Sequence, residues 1–306
     1  VGRRQLAPDT FELAFHSPRI AAAARPGQFV NILLPAPPFG YRVFDGPEAW
    51  ADAPAGTEPT LIRRPFSIAE ARASEEGGEA DTVEVLVKVV GRGTRLLATL
   101  RPEAEVWVLG PLGNTFDLPE AGAAAILVAG GCGWAGLAML ARALRERGHP
   151  TYAFIGAATV DDLPLETADG RRPESFLDAL PEVCVTSREL EALGVTVALA
   201  AEAGGRVYGG VVSELLEQFL QRREASGARV YACGPWLMLR EVARLAAAAG
   251  CECQVSLEER MACGIGVCSS CVVEVVVPGG GIGHKKLCVD GPVLDAAEVH
   301  WEGKSG

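Results

Sequence analysis

With 306 residues, 49% of them hydrophobic, the chain is long enough to form two or three compact domains, each with a core of its own. Its formal charge of −11 at pH 7 and pI near 5.0 exclude the basic footprint by which nucleic-acid binders neutralise phosphates, and no Lys/Arg run departs from that balance. Nine cysteines, an odd number with four in one cluster, make a disulfide framework the poorer reading and a reducing, cytoplasmic setting the better one.

A chain that opens on Val1 reads as processed or trimmed at its start, and no secretory pattern follows. Short β-rich runs, 28-QFVNILLP-35, 83-VEVLVKVV-90 and 105-EVWVLG-110, separated by Pro and Gly clusters, predict a small antiparallel barrel over residues 1–120. The Pro-, Ala- and Gly-rich 35–60 and the polar 71–81 read as loops or insertions. Within the barrel, 63-RRPFSIAE-70 sets Arg64 and Phe66 on one face of an extended strand, with Ser67 beside them. A cation for a phosphate, a ring for stacking and a hydroxyl for a hydrogen bond suit a flavin, although a surface Arg and a core Phe read the same in isolation. Next, 91-GRGTRLLATL-100 opens a helix with Gly91, Gly93 and Thr94. Its free N–H groups could meet a phosphate, with Thr94 as N-cap, and a plain capped turn fits equally well.

From Ala121 the pattern changes. The uncharged stretch 121–141 has the length of a membrane span, but glycines interrupt its centre. A buried strand followed by a glycine turn and a helix explains it better. Strand 124–129, helix Ala135–Arg147, strand 151–157, helix Val211–Arg223, strand 228–234 and helix Trp236–Ala249 alternate as in a doubly wound parallel sheet, placed at 121–249. Its first turn, 130-GGCGWAG-136, brings Gly130, Gly131 and Gly133 where a dinucleotide pyrophosphate approaches the backbone, without the usual G-x-G-x-x-G fingerprint. A tight strand-to-helix turn is the plain alternative. Cys233 and Gly234, in 233-CGP-235, end a later strand at the edge where open sheets bind ligands, and Cys233 either faces a nicotinamide or only packs.

Residues 250–306 turn to Cys, Gly and Val, a unit small enough to depend on a metal centre. Cys263, Cys268 and Cys271 follow C-x4-C-x2-C, and Cys288 comes sixteen intervening residues later. That is the plant-type [2Fe–2S] spacing, whereas structural zinc sites more commonly use two short pairs. Gly264 and Gly266 let the loop fold tightly over a cluster, with backbone N–H groups toward its sulfurs.

In this order the motifs resemble the ferredoxin reductase superfamily, and within it the electron-transfer subunits of NAD-dependent, two-component (class 1B) dihydroorotate dehydrogenases. The likeness covers nearly the whole chain, most specifically 258-EERMACGIGVCSSCVVEV-275 and 287-LCVDGPVLDAAEV-299. It implies a multidomain β plus α/β fold: an antiparallel FAD-binding barrel, a doubly wound NAD domain and a small C-terminal [2Fe–2S] domain. By that resemblance Arg64, Phe66 and Ser67 bind FAD, and Gly91, Gly93 and Thr94 hold its phosphates. Gly130, Gly131, Gly133, Cys233 and Gly234 line the site of the co-substrate NAD, and the four thiols ligate the cluster. Phe66 stands where the superfamily often has Tyr, Gly136 where many members have Pro, and the 35–60 insertion is longer than the family leads one to expect. After strand 151–157, where related reductases choose their nucleotide, Asp161 and Asp162 oppose a 2′-phosphate and no Arg pairs with one, which favours NAD; a solvated turn would read the same.

The resemblance further implies an electron relay in pyrimidine biosynthesis, from NAD through FAD and [2Fe–2S] to an FMN-containing dihydroorotate dehydrogenase catalytic subunit in a heterotetramer, with no general acid or base required of this chain. Rival readings are the flavin and [2Fe–2S] subunit of an NADPH-linked complex, of the glutamate synthase, sulfide dehydrogenase or ferredoxin:NADP oxidoreductase type, and a zinc-stabilised adaptor. The four histidines show no ligand spacing and read as surface residues; Trp301 reads as closing the small domain's core.

Overall fold

The computed structural model describes residues 2–33, 63–74, 81–102, 104–171, 183–222, 225 and 227–303. The 35–60 insertion and the centre of the 71–81 loop lie outside them.

The N-terminal unit contains β1 (Gly2–Ala7), β2 (Thr10–His16), α1 (Pro18–Ala23), β3 (Phe29–Leu33), β4 (Arg64–Arg72), β5 (Thr82–Lys88), α2 (Arg92–Ala98) and β6 (Trp107–Leu112). Its strands form one antiparallel sheet in the order β1-β2-β5-β4-β3-β6. Alternate residues point to one interior: Phe11, Leu13 and Phe15 from β2, Val83, Val85 and Val87 from β5, and Val30 and Ile32 from β3 are all buried together. The expected barrel is thus a sheet wrapped on its own core, and among the described residues no pairing closes β6 onto β1.

The second unit adds β7 (Ala125–Gly130), α3 (Trp134–Glu146), β8 (Thr151–Ala157), β9 (Ala168–Arg171), β10 (Val183–Thr186), α4 (Arg188–Ala192), β11 (Thr196–Ala201), β12 (Tyr208–Gly209), α5 (Val212–Leu220), β13 (Arg229–Cys233), α6 (Trp236–Ala248) and β14 (Cys253–Ser256). The order β12-β11-β8-β7-β13-β14 is parallel throughout. The central strand β7 is wholly buried from Ala125 to Ala129, because α3 covers one face through Leu137, Leu140 and Leu144 while α5 and α6 cover the other through Leu215, Phe219 and Val242. Residues 121–141 therefore enter a strand and a helix, as read from their glycines. No described helix is long and apolar enough to cross a membrane. Helices expected to reach residues 147, 223 and 249 end at Glu146, Leu220 and Ala248.

The C-terminal residues carry β15 (Val272–Val277), β16 (Gly281–Lys286) and β17 (Val293–Asp295). The sheet runs past the boundary expected at 249/250: β14 continues it in parallel and β17 pairs antiparallel with β14. The cysteine-bearing stretch 257–292 is an excursion between two strands of that sheet. Trp301 donates Nε1–H to Ala296 O at 3.0 Å and packs on Trp236 with ring centroids 5.0 Å apart, so it does close this unit onto α6.

Ion pairs tie the first two units together. Arg142 of α3 reaches Glu70 of β4 at 2.7 Å, and Arg4 joins Glu12 at 2.8 Å to Glu166 at 3.0 Å. Glu70 is only 13% exposed, which makes its pairing with a cation obligatory. The strand bearing the 63–70 motif is thereby fixed against the helix that follows the glycine turn.

Candidate redox site

Two cavities meet where the wrapped sheet faces the C-terminal ends of the parallel strands, the edge at which open α/β sheets bind ligands. The larger, of about 670 Å³, is floored by Gly130, Gly131 and Gly133 after β7 and by Gly234 after β13. These two loops touch without side chains: a Cβ on Gly133 would lie 2.5 Å from the Cys233 carbonyl carbon and 2.8 Å from Gly234 N. Only glycine allows that approach, and the N-terminus of α3 is left facing the cavity.

The smaller cavity, of about 270 Å³, is lined by Arg64, Phe66, Ser67 and Thr94, with Phe29 and Met261. Four expected residues are thus brought together, while Gly91 and Gly93 are not on its lining. Thr94 is not the N-cap. Gly91 caps α2 with extended backbone, having no side chain to offer, and Thr94 three residues on reaches back to accept from Val90 N at 3.0 Å and Gly91 N at 3.2 Å.

Cys233, expected beside Gly234 on the lining, is fully buried beneath it, and burial pushes its thiol far above the ordinary range. A Cβ on Gly136 would stand 3.0 Å from Cys233 Sγ and 3.7 Å from Ser67 Oγ. The glycine where relatives were expected to carry Pro is therefore the place where the two units approach with least bulk.

The cavities share a wall made of Lys88, Cys132 and Glu258, none of which the motif reading singled out. Burial raises the Glu258 carboxyl and the Cys132 thiol above their usual values. Glu258 lies just beyond β14, a strand the sequence pattern did not reveal, so no sequence signal marked it. The larger cavity is acidic, with Asp162, Glu202, Glu241 and Glu258 against Lys88 alone. Asp162 accepts from Thr159 Oγ1 at 2.7 Å, whereas Asp161 is exposed and off the lining. This rim suits a nucleotide without a 2′-phosphate.

The cysteine-bearing loop lies against the face of β3 to which Phe29 and Asn31 point. Cys263 Sγ accepts from the N–H groups of Ile265 and Cys268, each at 3.4 Å, and Cys288 Sγ accepts from Gly266 N at 3.1 Å. Gly264, at φ +73°, makes this turn possible. The thiols approach as two pairs, Cys263 with Cys268 and Cys271 with Cys288. Among the described residues no group of three or more His, Cys, Asp or Glu converges as one metal ion requires. The C-x4-C-x2-C spacing with its distant fourth thiol fits a [2Fe–2S] cluster better than the two short pairs common in structural zinc sites. Two donors favour the thiolate that ligation needs, the Ser270 hydroxyl and amide holding Cys268 down to about 6 and the Ile265 and Cys268 amides lowering Cys263, whereas burial pushes Cys288 up to about 11.

Of the histidines, His16 and His284 are exposed, but His149 is buried and bonds through Nδ1 to Ala123 O at 3.0 Å, while His300 bonds to Glu274 at 2.8 Å. The surface expectation fails for His149 because this strand-entry position offers its ring a carbonyl.

Residues 258–300 match the family model of the iron–sulfur cluster binding domain of dihydroorotate dehydrogenase B. Over nearly its whole length the chain is similar to the electron transfer subunit of dihydroorotate dehydrogenase B (NAD(+)) from Desulforamulus reducens, with 32% identity covering 97% of this chain and 95% of that one. It is 33% identical to the protein of the same name from Enterococcus faecalis, over 98% and 95% of the two chains. Among solved structures it resembles an NADH-dependent reduced ferredoxin–NADP oxidoreductase, with 27% identity and a TM-score of 0.73 over 99% of this chain and 89% of that one.

Proposed function

The chain belongs to the family of electron-transfer subunits of NAD-dependent dihydroorotate dehydrogenase B, and from that membership we propose how its residues divide the work. It is an oxidoreductase subunit that uses FAD, a [2Fe–2S] cluster and NAD, and it serves a separate catalytic subunit. FAD, when bound, exchanges electron pairs with nicotinamide and single electrons with the cluster.

The observation that carries the assignment of residues is the shared wall of the two cavities: a nucleotide and a flavin seated on either side would meet there without an intervening chain segment. In this reading Arg64 offers its guanidinium to the flavin's phosphates, Phe66 stacks against a flat ring, and Ser67 hydrogen-bonds at the junction. Thr94 closes the phosphate end, held by the hydrogen bonds it accepts from the Val90 and Gly91 amides. Gly130, Gly131, Gly133 and Gly234 admit the NAD pyrophosphate, with Cys233 packed under them. Lys88, Cys132 and Glu258 border the contact. Cys263, Cys268, Cys271 and Cys288 hold the cluster. The three working units are residues 1–120, 121–249 and 250–306, the last borrowing β14 as its root in the sheet.

Around the ligand loop Ile265, Val267 and Val289 are exposed by 54%, 78% and 55%. Apolar side chains so exposed beside a one-electron centre support docking of the FMN-bearing dihydroorotate dehydrogenase subunit at this face, with electrons passing outward to NAD and a heterotetramer as the assembly. Thiols that must stay reduced for ligation support a cytoplasmic setting.

The test is an anaerobic visible-absorbance titration of the purified protein with NADH, and separately with NADPH. Flavin and cluster bands that bleach at low excess of NADH and only sluggishly with NADPH are expected. An NADPH-only response would overturn the nucleotide assignment in favour of the NADPH-linked complexes.

A further inference from the structure

Asn31 sits in the middle of the strand FVNIL, between Val30 and Ile32, and none of its surface is exposed. Its neighbours in the alternation face the barrel core. Asn31 and Phe29 face the other way, and Phe29 packs in one apolar cluster with Met261, Cys271, Leu287 and Cys288. The amide donates through Nδ2 to the carbonyl of Cys263 at 3.4 Å, while its Oδ1 is buried with no partner. A leucine there would cost less, since an unpaired buried acceptor is among the expensive defects of an interior. The amide is therefore placed for something other than stability.

Its position says what. Across the β3–β4 ladder Asn31 pairs with Pro65 and its neighbour Val30 pairs with Phe66, so the flavin-side motif is one register away. On the other side the loop lies directly on the amide: a Cβ on Gly264 would strike Asn31 Nδ2. The far end of the cysteine-bearing excursion is clamped independently. Asn114 exchanges two hydrogen bonds with Val293, 2.8 Å from Nδ2 to the carbonyl and 3.0 Å from the Val293 N–H to Oδ1, and its own N–H bonds Gly291 O at 2.7 Å. With that end fixed, the loop bearing the first thiol meets β3 at the Asn31 amide, among apolar contacts.

We propose that Asn31 is a positioning residue for electron transfer between the flavin and the cluster: its amide holds the Cys263 carbonyl and so fixes the first cluster ligand against the strand pair that cradles the flavin. The inference rests on the relay reading above. Groups that orient metal ligands from one shell out change affinity or activity by roughly 10- to 100-fold when removed, and Asn31 is such a group with its other side on the flavin cradle.

The test follows the flavin and cluster bands separately in stopped flow as NADH reduces the holoprotein, in the wild type, Asn31→Leu and Leu112→Val. Leu112 packs the same glycine from β6, with its Cδ1 3.4 Å from the Gly264 Cβ position, but offers no hydrogen bond. In Asn31→Leu flavin bleaching is expected to keep its rate while cluster bleaching slows roughly tenfold, and iron is lost to a chelator about tenfold faster. Leu112→Val is expected to match the wild type in both. Unchanged cluster kinetics and chelation in Asn31→Leu, or equal slowing in Leu112→Val, would overturn the proposal. If the leucine variant does not accumulate, Asn31→Asp, of the same shape but with an acceptor facing the carbonyl, is read by the same two outcomes. A wild type whose bands NADH does not bleach would instead overturn the relay itself.

Discussion

Glu258 occupies the wall between the two cavities with its carboxyl raised by burial. Adding electrons to a flavin adds negative charge, and a nearby carboxylate opposes it, whereas a neutral carboxyl does not. As pH rises through the elevated value of Glu258, the group turns from neutral to anionic and the flavin midpoint potential should fall beyond its ordinary proton-coupled slope. Glu258→Gln is expected to remove that extra fall. Its flavin would match the wild type at an acidic pH below that elevated value and lie higher at a pH above it, by on the order of 30 mV. Spectroelectrochemical titration at the two pH values reads the difference, and parallel wild-type and variant curves would show that the carboxyl does not feel the flavin.

Among the elements, the strands were readable where a single physical rule governs them. Short β-rich runs between Pro and Gly clusters announced β3, β5 and β6, and the uninterrupted apolar run announced β7, whose two faces are both covered. The cysteine spacing likewise announced the ligand loop. What escaped depended on partners distant in sequence. Nothing in 250–306 alone reveals that Cys253–Ser256 completes a sheet begun at Ala125, or that Gly91 rather than Thr94 takes the cap. Lys88, Cys132 and Glu258 become one wall only when three separate elements converge. The same convergence places Glu70 of β4 under Arg142 of α3, with Arg72 at 3.8 Å on its other side. Glu70→Gln keeps the shape but leaves a half-buried guanidinium without its counter-charge. A loss of about 1–3 kcal/mol is expected, short of the larger cost of breaking a fully buried pair. A urea midpoint that does not move would mean that the two units are held together by their apolar contacts alone.

At the scale of the whole molecule the proposed electron path joins an acidic nucleotide cavity, through the lining it shares with the smaller cavity, to a loop ringed by Ile265, Val267 and Val289. A one-electron carrier must exchange electrons with a centre on another protein, and the exposed aliphatic side chains make that end a place where removing water on docking yields a gain. Burying one such side chain is worth about 1.5–3 kcal/mol, so replacing Ile265 and Val267 together by serine should weaken association with the FMN-bearing subunit by at least tenfold. Serine adds no charge, so the cluster's potential is left alone, and NADH should bleach flavin and cluster in the variant as in the wild type. Calorimetric titration of the two subunits, beside the visible-absorbance assay, separates docking from internal transfer. Undiminished affinity would move the docking face away from the ligand loop, and electrons would then leave by a longer route than the one this fold lays out.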